Sequence, residues 1–512
     1  MLGNSVEVPI GDARRVAMRG MSALAEGAWM GSAQAVEVLD LAREGQPGGP
    51  ERARRRGLGF LLRELSVPQA TVVLATAFFV SAMLGAVRQV LFNAQFGAGD
   101  EASAYYAAFR LPDVLFSLIA GGALSSAMIP VLLATSVRQG EAAAWRLTRV
   151  VLTTLVATFA VLILIAQLFA PLFVSRILAP GFDAETTELT VRLTRIMLLQ
   201  PLMLAVGSVA LALLNSRNQF LLTALSFAAH NVALIGAITL ARLNPGLGIE
   251  APAVGAVAGG ALQLLILLPA FAGRGALRPL WAPGDAGLRE VVRLLIPNGL
   301  SVGVGYAGFI IDTAFASKVG EPEALAAIAN AWLLIGLPIS LLGQAVGQAA
   351  FPRMAAAAAT ESWETVQKIV LVALGAVVGL AIPAALGLAV LGRELVRRLF
   401  EHGEFDAVAG ALTYDVLLVY AVALPAYVAT EVISRGLVSL RDTRTPLVTN
   451  AVQLGGRVLV VSLLIGDMGT TAIPLAFALT ASVETVALGA VLAVRLRRFR
   501  RPPAAHRGAT AT

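Results

Sequence analysis

Arg88 and Arg110 stand inside apolar stretches, 70–95 and 103–135, that are each long enough to cross a bilayer. A charge at that depth is costly, so such a side chain usually faces a water-filled cavity and marks the path of something it holds. Two guanidiniums in that setting point to substrate binding of an anionic cargo, through charge-assisted hydrogen bonds. The competing reading for Arg88 is a side chain that snorkels to the interface. Beside Arg110 the sequence continues Leu111-Pro112-Asp113, with Gly121-Gly122 about two turns later. Proline removes a helix hydrogen bond, so the spacing predicts a bend or break here. Pro112, Asp113, Gly121 and Gly122 are accordingly expected to act as a gate or hinge. A self-neutralising Arg110–Asp113 pair at i, i+3 is the alternative.

The second half of the chain places Asp312, Glu431, Arg435, Arg457 and Glu484 within apolar spans. Burial favours pairing over isolated charge, which predicts Asp312 with Arg457 and Glu431 with Arg435, as structural ion pairs or as a coupling-ion site. No catalytic residue is expected. A phosphate-cradling Gly-Lys-Ser/Thr loop is missing, since neither Lys318 nor Lys368 follows a glycine. Gly303-Val304-Gly305-Tyr306-Ala307-Gly308 matches a dinucleotide fingerprint only in letters, because no strand precedes it, and helix packing or a hinge accounts better for those glycines. With no cysteine, and with histidines only at 230, 402 and 506, no metal site and no cofactor is expected.

Positioning these residues requires membrane helices. Hydrophobic residues make up 57% of the 512, charged residues only 14%, and mean hydropathy is +0.78, which excludes a soluble globule. The net charge of +7 does not suggest nucleic acid, because the arginines collect in loops between apolar runs. Runs near 70–95, 103–135, 147–175, 189–214, 219–241, 250–272, 289–316, 324–351, 366–391, 409–434, 446–466 and 471–495 give an all-α polytopic membrane protein of about 12 spans. Arginine-bearing loops fall on one side, read as cytoplasmic, and put both termini there; Arg393, Arg397 and Arg398 are the exception. The expected organisation is a cytoplasmic extension 1–66, disordered or surface-lying and without a secretory signal; a six-helix lobe 67–273; a linker 274–288; a second six-helix lobe 289–496; and a basic tail 497–512.

A weak internal repeat supports two halves. Gly181-Phe182-Asp183 corresponds to Glu404-Phe405-Asp406, Pro201 to Pro425, and Asn215-Ser216-Arg217-Asn218 to Ser439-Leu440-Arg441-Asp442. Six helices per half make the halves parallel, related by a pseudo-two-fold along the membrane normal, with a site between them near the midplane and alternating access by rocking.

Several short stretches carry a family resemblance in order along residues 67–500. They are Ser81-Ala82-Met83-Leu84-Gly85-Ala86-Val87-Arg88, Phe96-Gly97-Ala98-Gly99, Ala108-Phe109-Arg110-Leu111-Pro112-Asp113, Gly122-Ala123-Leu124-Ser125, Ala179-Pro180-Gly181-Phe182, Leu399-Phe400-Glu401-His402-Gly403-Glu404-Phe405 and Leu440-Arg441-Asp442-Thr443-Arg444-Thr445-Pro446. Jointly they resemble the MurJ/MviN family, the lipid II flippases of peptidoglycan synthesis within the multidrug and polysaccharide exporter superfamily. The resemblance implies a V of two lobes, a central cationic cavity for an undecaprenyl-pyrophosphate-linked precursor, drive by membrane potential or an ion gradient, and residence in the bacterial cytoplasmic membrane. It also implies contact with membrane lipids and with cell-wall synthesis enzymes. This sequence departs from the family at Ala82, Ser103, Phe116, Gly121, Leu333 and Gly336, where charged residues are usual, so Arg88 and Arg110 are what persists of the cationic cluster. The family's helices 13 and 14 are not expected here. Where some members bind sodium through an asparagine of helix 11, Arg457 stands, and its guanidinium would take the ion's place beside Asp312. An ion-coupled exporter of another amphiphile or drug, and a non-transporting scaffold paralogue, are the alternatives.

Overall fold

The computed structural model describes residues 60–119, 123–272 and 278–500. The expectations for the extension and its start, for Gly121 and Gly122, and for the tail beyond residue 500 lie outside them. The described residues fold as helices in chain order: α1 Val67–Phe96, α2a Asp100–Ile119, α2b Ala123–Gln139, α3 Glu141–Phe173, α4a Ala184–Met197, α4b Gln200–Asn215, α5 Leu221–Leu243, α6 Glu250–Leu267, α7 Ala286–Ala316, α8a Ala324–Pro338, α8b Ala345–Ala359, α9 Trp363–Phe400, α10 Ala407–Ser439, α11 Arg444–Met468 and α12 Ala472–Arg500. Each of the twelve expected spans is thus filled by helix. Among the described residues nine stretches are long and apolar enough to cross a membrane, the last, Arg444–Arg497, covering both α11 and α12. Large apolar side chains such as Leu164, Leu168 and Phe169 of α3 or Leu371 and Val372 of α9 point outward, as lipid-facing residues do.

The same helix pairings recur in both halves. α1 packs on α5 as α7 packs on α11; α2 on α3 and α4 as α8 on α9 and α10; α4 on α6 as α10 on α12; and α5 on α6 as α11 on α12. Turn chemistry repeats too. Asp183 caps α4a by accepting from the Thr186 amide at 2.8 Å, and Asp406, 223 residues on, caps α10 by accepting from the Ala409 amide at 2.9 Å. After α4b, Asn218 turns left-handed at φ 55° while Gln219 N donates to Leu214 O; after α10, Arg441 does so at φ 61° while Asp442 N donates to Leu437 O. Both are helix C-caps that satisfy otherwise orphaned carbonyls.

α8 passes through a π turn at Ile339–Gln344. α2a runs on through Pro112 without a break, so the bend expected at the proline is not found there. Leu288, Val291 and Leu295 pack with Leu147, Val151 and Leu213 of the first half, so the opening turns of α7 share that core. Farther along, Ile310, Phe315 and Ala316 pack within the second. α7 therefore spans both.

Loops 97–99, 179–183, 317–323 and 401–406 gather at the end opposite the arginine-rich face, and there the halves are fastened. Glu404 N donates to Ala94 O at 3.1 Å, Ser103 Oγ to Pro322 O at 2.7 Å, and Gly181 N to Ser317 Oγ at 3.1 Å. Gly97 sits at φ 65°, and a Cβ on it would come within 2.7 Å of Glu404 O, so only glycine allows this approach. The exceptional arginines lie at this end but are each paired with a carboxylate: Arg393 with Glu401, and Arg397 and Arg398 both with Glu394.

Candidate functional site

Between the halves lies a cavity of about 320 Å³. α1 contributes Arg88, Gln89 and Phe92, α2a contributes Tyr106, Arg110 and Asp113, and α5 contributes His230, while the second half brings Phe309 and Asp312 of α7, Trp332 of α8a and Tyr420 of α10. Arg88 is held there by Asn231 of α5, whose Oδ1 accepts from Nη1 at 3.2 Å. The amide of Asn231 is fixed in turn by Ser81, donating to its carbonyl at 3.1 Å, and Ser81 Oγ donates to Phe227 O at 2.9 Å. This chain of contacts turns Arg88 inward, not along lipid. Arg110 reaches across to the other half: its Nε donates to Thr313 Oγ1 at 3.1 Å and its guanidinium stacks over Phe309 at 5.2 Å. Its Nη nitrogens have no protein acceptor among the described residues. Nor is Asp113 within ion-pair distance of Arg110 there; both face the cavity.

Asp312, at the cavity wall, pairs with Arg457 behind it, and their side chains are only 5% and 7% exposed. Arg457 lies over the Phe477 ring at 4.8 Å, a cation–π contact that adds to the pairing. Gly308 makes room for it, since a Cβ there would stand 3.0 Å from Arg457 Nη1. One glycine of the false nucleotide fingerprint thus has a packing role. Glu431 and Arg435 do not come within ion-pair distance of each other. The stem of Glu431 lies beside Gly343 in the π turn and that of Arg435 beside Gly347 of α8b, where a Cβ would stand 3.5 and 3.6 Å from their Cγ atoms. Glu484 is buried and accepts from Thr449 Oγ1 at 3.1 Å.

A polar knot that the charge pattern does not reveal closes the cavity toward the fastened end. Gln89 Nε2 approaches Tyr106 Oη at 2.5 Å and Asn330 Oδ1 at 2.8 Å, and Asn93 Nδ2 donates to Asn330 Oδ1 at 3.0 Å. Asn93 and Asn330 are fully buried, so the knot ties α1 and α2a to α8a. Its trace in the sequence is Gln89 and Asn93 at i, i+4, two amides on one helix face inside an apolar run. Among the described residues no group of three or more histidines and acids could hold a metal ion.

Comparison with known proteins places this arrangement. The family model for the lipid II flippase MurJ matches residues 92–503. A probable lipid II flippase MurJ of Rhizobium tropici is 28% identical over 392 residues, covering 75% of this chain and 73% of that one. The lipid II flippase MurJ of Burkholderia cenocepacia is 29% identical over 375 residues, 72% of each chain. Among solved structures, a lipid II flippase MurJ in an inward closed conformation superposes with a TM-score of 0.72 at 21% identity, covering 84% of this chain and 89% of that one. An inward-facing multidrug resistance MATE transporter of the MOP superfamily gives 0.71 at 14%, covering 84% and 98%. Those likenesses show the two-lobed transporter fold. With 412 consecutive positions matched by one family, the multi-pass membrane chain belongs to the lipid II flippase MurJ family.

Proposed function

We propose that this protein moves lipid II across the bacterial cytoplasmic membrane by alternating access, with Arg88 and Arg110 as ligands of the pyrophosphate. The observation that carries this is the convergence of both arginines, from different helices, on one cavity between the halves. Charge favours an anion there. Asp312 is taken by Arg457, which leaves two guanidiniums against the single carboxylate of Asp113. A cavity of about 320 Å³ is at the low end for ligand sites. It fits a phosphate-sized group, while the sugar-peptide needs the halves to part. The Gln89–Asn93–Asn330 knot and the Gly97 contact hold the far end shut, so loading proceeds from the arginine-rich face, the cytoplasmic one by the positive-inside rule, with both termini on that side. Flipping consists of breaking the knot and closing the opposite end. The Asp312–Arg457 pair supplies internally the charge that a coupling cation would bring, which fits drive by membrane potential without sodium. Cell-wall synthesis enzymes would consume the delivered precursor.

The aromatic walls, Phe92, Phe309, Trp332 and Tyr420, support a second reading, export of another amphiphile. Complementation of a conditional flippase-depletion strain separates the two. Rescue by the wild-type chain and its loss in Arg88→Ala and Arg110→Ala at equal expression is expected; no rescue by a well-inserted wild type would overturn lipid II as the cargo.

A further inference from the structure

On the arginine-rich face the segment that links the halves is sewn to α3. Arg149 Nε donates to Arg278 O at 3.0 Å, Leu280 N donates to Thr153 Oγ1 at 2.8 Å, and Arg146 lies 4.0 Å from Asp285, which caps α7. Depth can be read along α3. The helix is uncharged from Val150 to Ser175, long enough to fill the hydrocarbon layer, so Arg146 and Arg149 stand just outside it at headgroup level. Trp281 flanks the stitch at Leu280, at the edge of that apolar run, and is 63% exposed. An exposed indole at such a boundary is an interfacial anchor. Arg289 is exposed in the first turn of α7, four residues after Asp285, and neither it nor Arg278 has a carboxylate partner among the described residues. The internal repeat does not reproduce this feature, because the corresponding start of α9 carries Glu361, Glu364 and Lys368. Membrane topology alone asks for basic residues in this loop; it does not ask for a linker stitched to α3 around an outward tryptophan.

We propose that Arg146, Arg149, Arg278 and Arg289, with Trp281, form a binding site for the headgroup of an anionic phospholipid. Its phosphate oxygens sit among the guanidiniums and its glycerol and upper acyl carbons lie against the indole. The site is distinct from the central cavity, faces the bilayer, and straps the linker between the two halves, so occupancy stiffens the joint about which they rock.

The full chain purified in detergent is titrated with short-chain phosphatidylglycerol, short-chain phosphatidylcholine and glycerol 3-phosphate, with adducts counted by native mass spectrometry. Phosphatidylglycerol is expected to bind tightest. Each arginine near a charged lipid surface is worth about fivefold, so Arg149→Gln with Arg278→Gln should weaken phosphatidylglycerol about 30-fold and leave phosphatidylcholine unmoved. Arg149→Lys with Arg278→Lys should keep the preference, which separates loss of charge from misfolding, and Arg353→Gln with Lys368→Gln, on the same face of the other half, should not change it. Equal binding of the two lipids by the wild type, or an unchanged preference in the double glutamine variant, overturns the site. Equal binding of glycerol 3-phosphate and phosphatidylglycerol overturns the lipid as its source.

Discussion

Removing one member of the Asp312–Arg457 pair should be far more damaging than removing both. Arg457→Leu strands the Asp312 carboxylate, 5% exposed and with its Oδ1 already lacking a hydrogen-bond partner. Breaking a buried pair from one side costs about 3–5 kcal/mol, a factor of about 100 to several thousand in the folded-to-unfolded ratio. Replacing both partners by apolar groups is often neutral or stabilising, so Arg457→Leu with Asp312→Leu should recover most of that loss. Trp332 offers the readout: its ring lies 5.9 Å from Phe477, the ring on which Arg457 stacks, and 5.4 Å from Phe309. Equilibrium unfolding in mixed micelles followed by tryptophan fluorescence, run on the wild type, both single variants and the double, gives the coupling energy. A single Arg457→Leu costing under about 1 kcal/mol, or a double variant as damaged as either single, would refute the claim that the pair is a compensated buried charge.

Asn330→Leu removes the acceptor shared by Gln89 and Asn93, worth about 2 kcal/mol over two bonds; since the sequence holds no cysteine, a single thiol at Ala329 should then react roughly tenfold faster with an impermeant maleimide added from the fastened end. Gly97→Ala should open the same end, because its Cβ would press on Glu404 O and its φ of 65° strains any side chain; unchanged thiol reactivity would count against the seal. At Asp442, burial alone would lift the pKa, but hydrogen bonds from Thr445 and the charge of Arg495 outweigh it and hold the carboxylate below its ordinary range. The sign follows: the contribution is full above the unfolded pKa near 4 and fades as pH falls through the lower folded value, so the stability gap between wild type and Asp442→Asn should be constant above about pH 5 and close toward pH 3.

The twelve spans were legible because bilayer crossing demands long apolar runs, and nothing else in a sequence is so strongly constrained. Pairing of Asp312 with Arg457 was legible for a related reason: charges that far from water have few options. The same logic misled at Glu431 and Arg435. Helical spacing allows them to meet, but Gly343 and Gly347 on α8 offer each a separate place to lie, and those gaps exist only once α8 is docked. The π turn in α8 left no mark, since an extra residue inside an apolar run does not change its hydropathy. The amide knot escaped because Gln89, Asn93 and Asn330 gain meaning only when α8a is brought against α1.

What the structure adds is a separation between frame and cargo chemistry. Caps and turns repeat at a constant 223 residues, through Asp183 and Asp406 and through Asn218 and Arg441, so the two halves share a scaffold. The charges do not repeat. Arg88, Arg110 and Asp113 all come from the first half, and the Asp312–Arg457 pair belongs wholly to the second. On the proposed function, this asymmetry of charge would give the halves unequal work: one would present cations to the cargo, and the other carries its own counter-charge in the Asp312–Arg457 pair. Arg110 couples the two, because its Nε is bound to Thr313 of the second half while its remaining donors face the cavity. On that proposal, a ligand phosphate that drew the guanidinium inward would compete with Thr313, so anion binding would loosen a bond between the halves at the moment of loading.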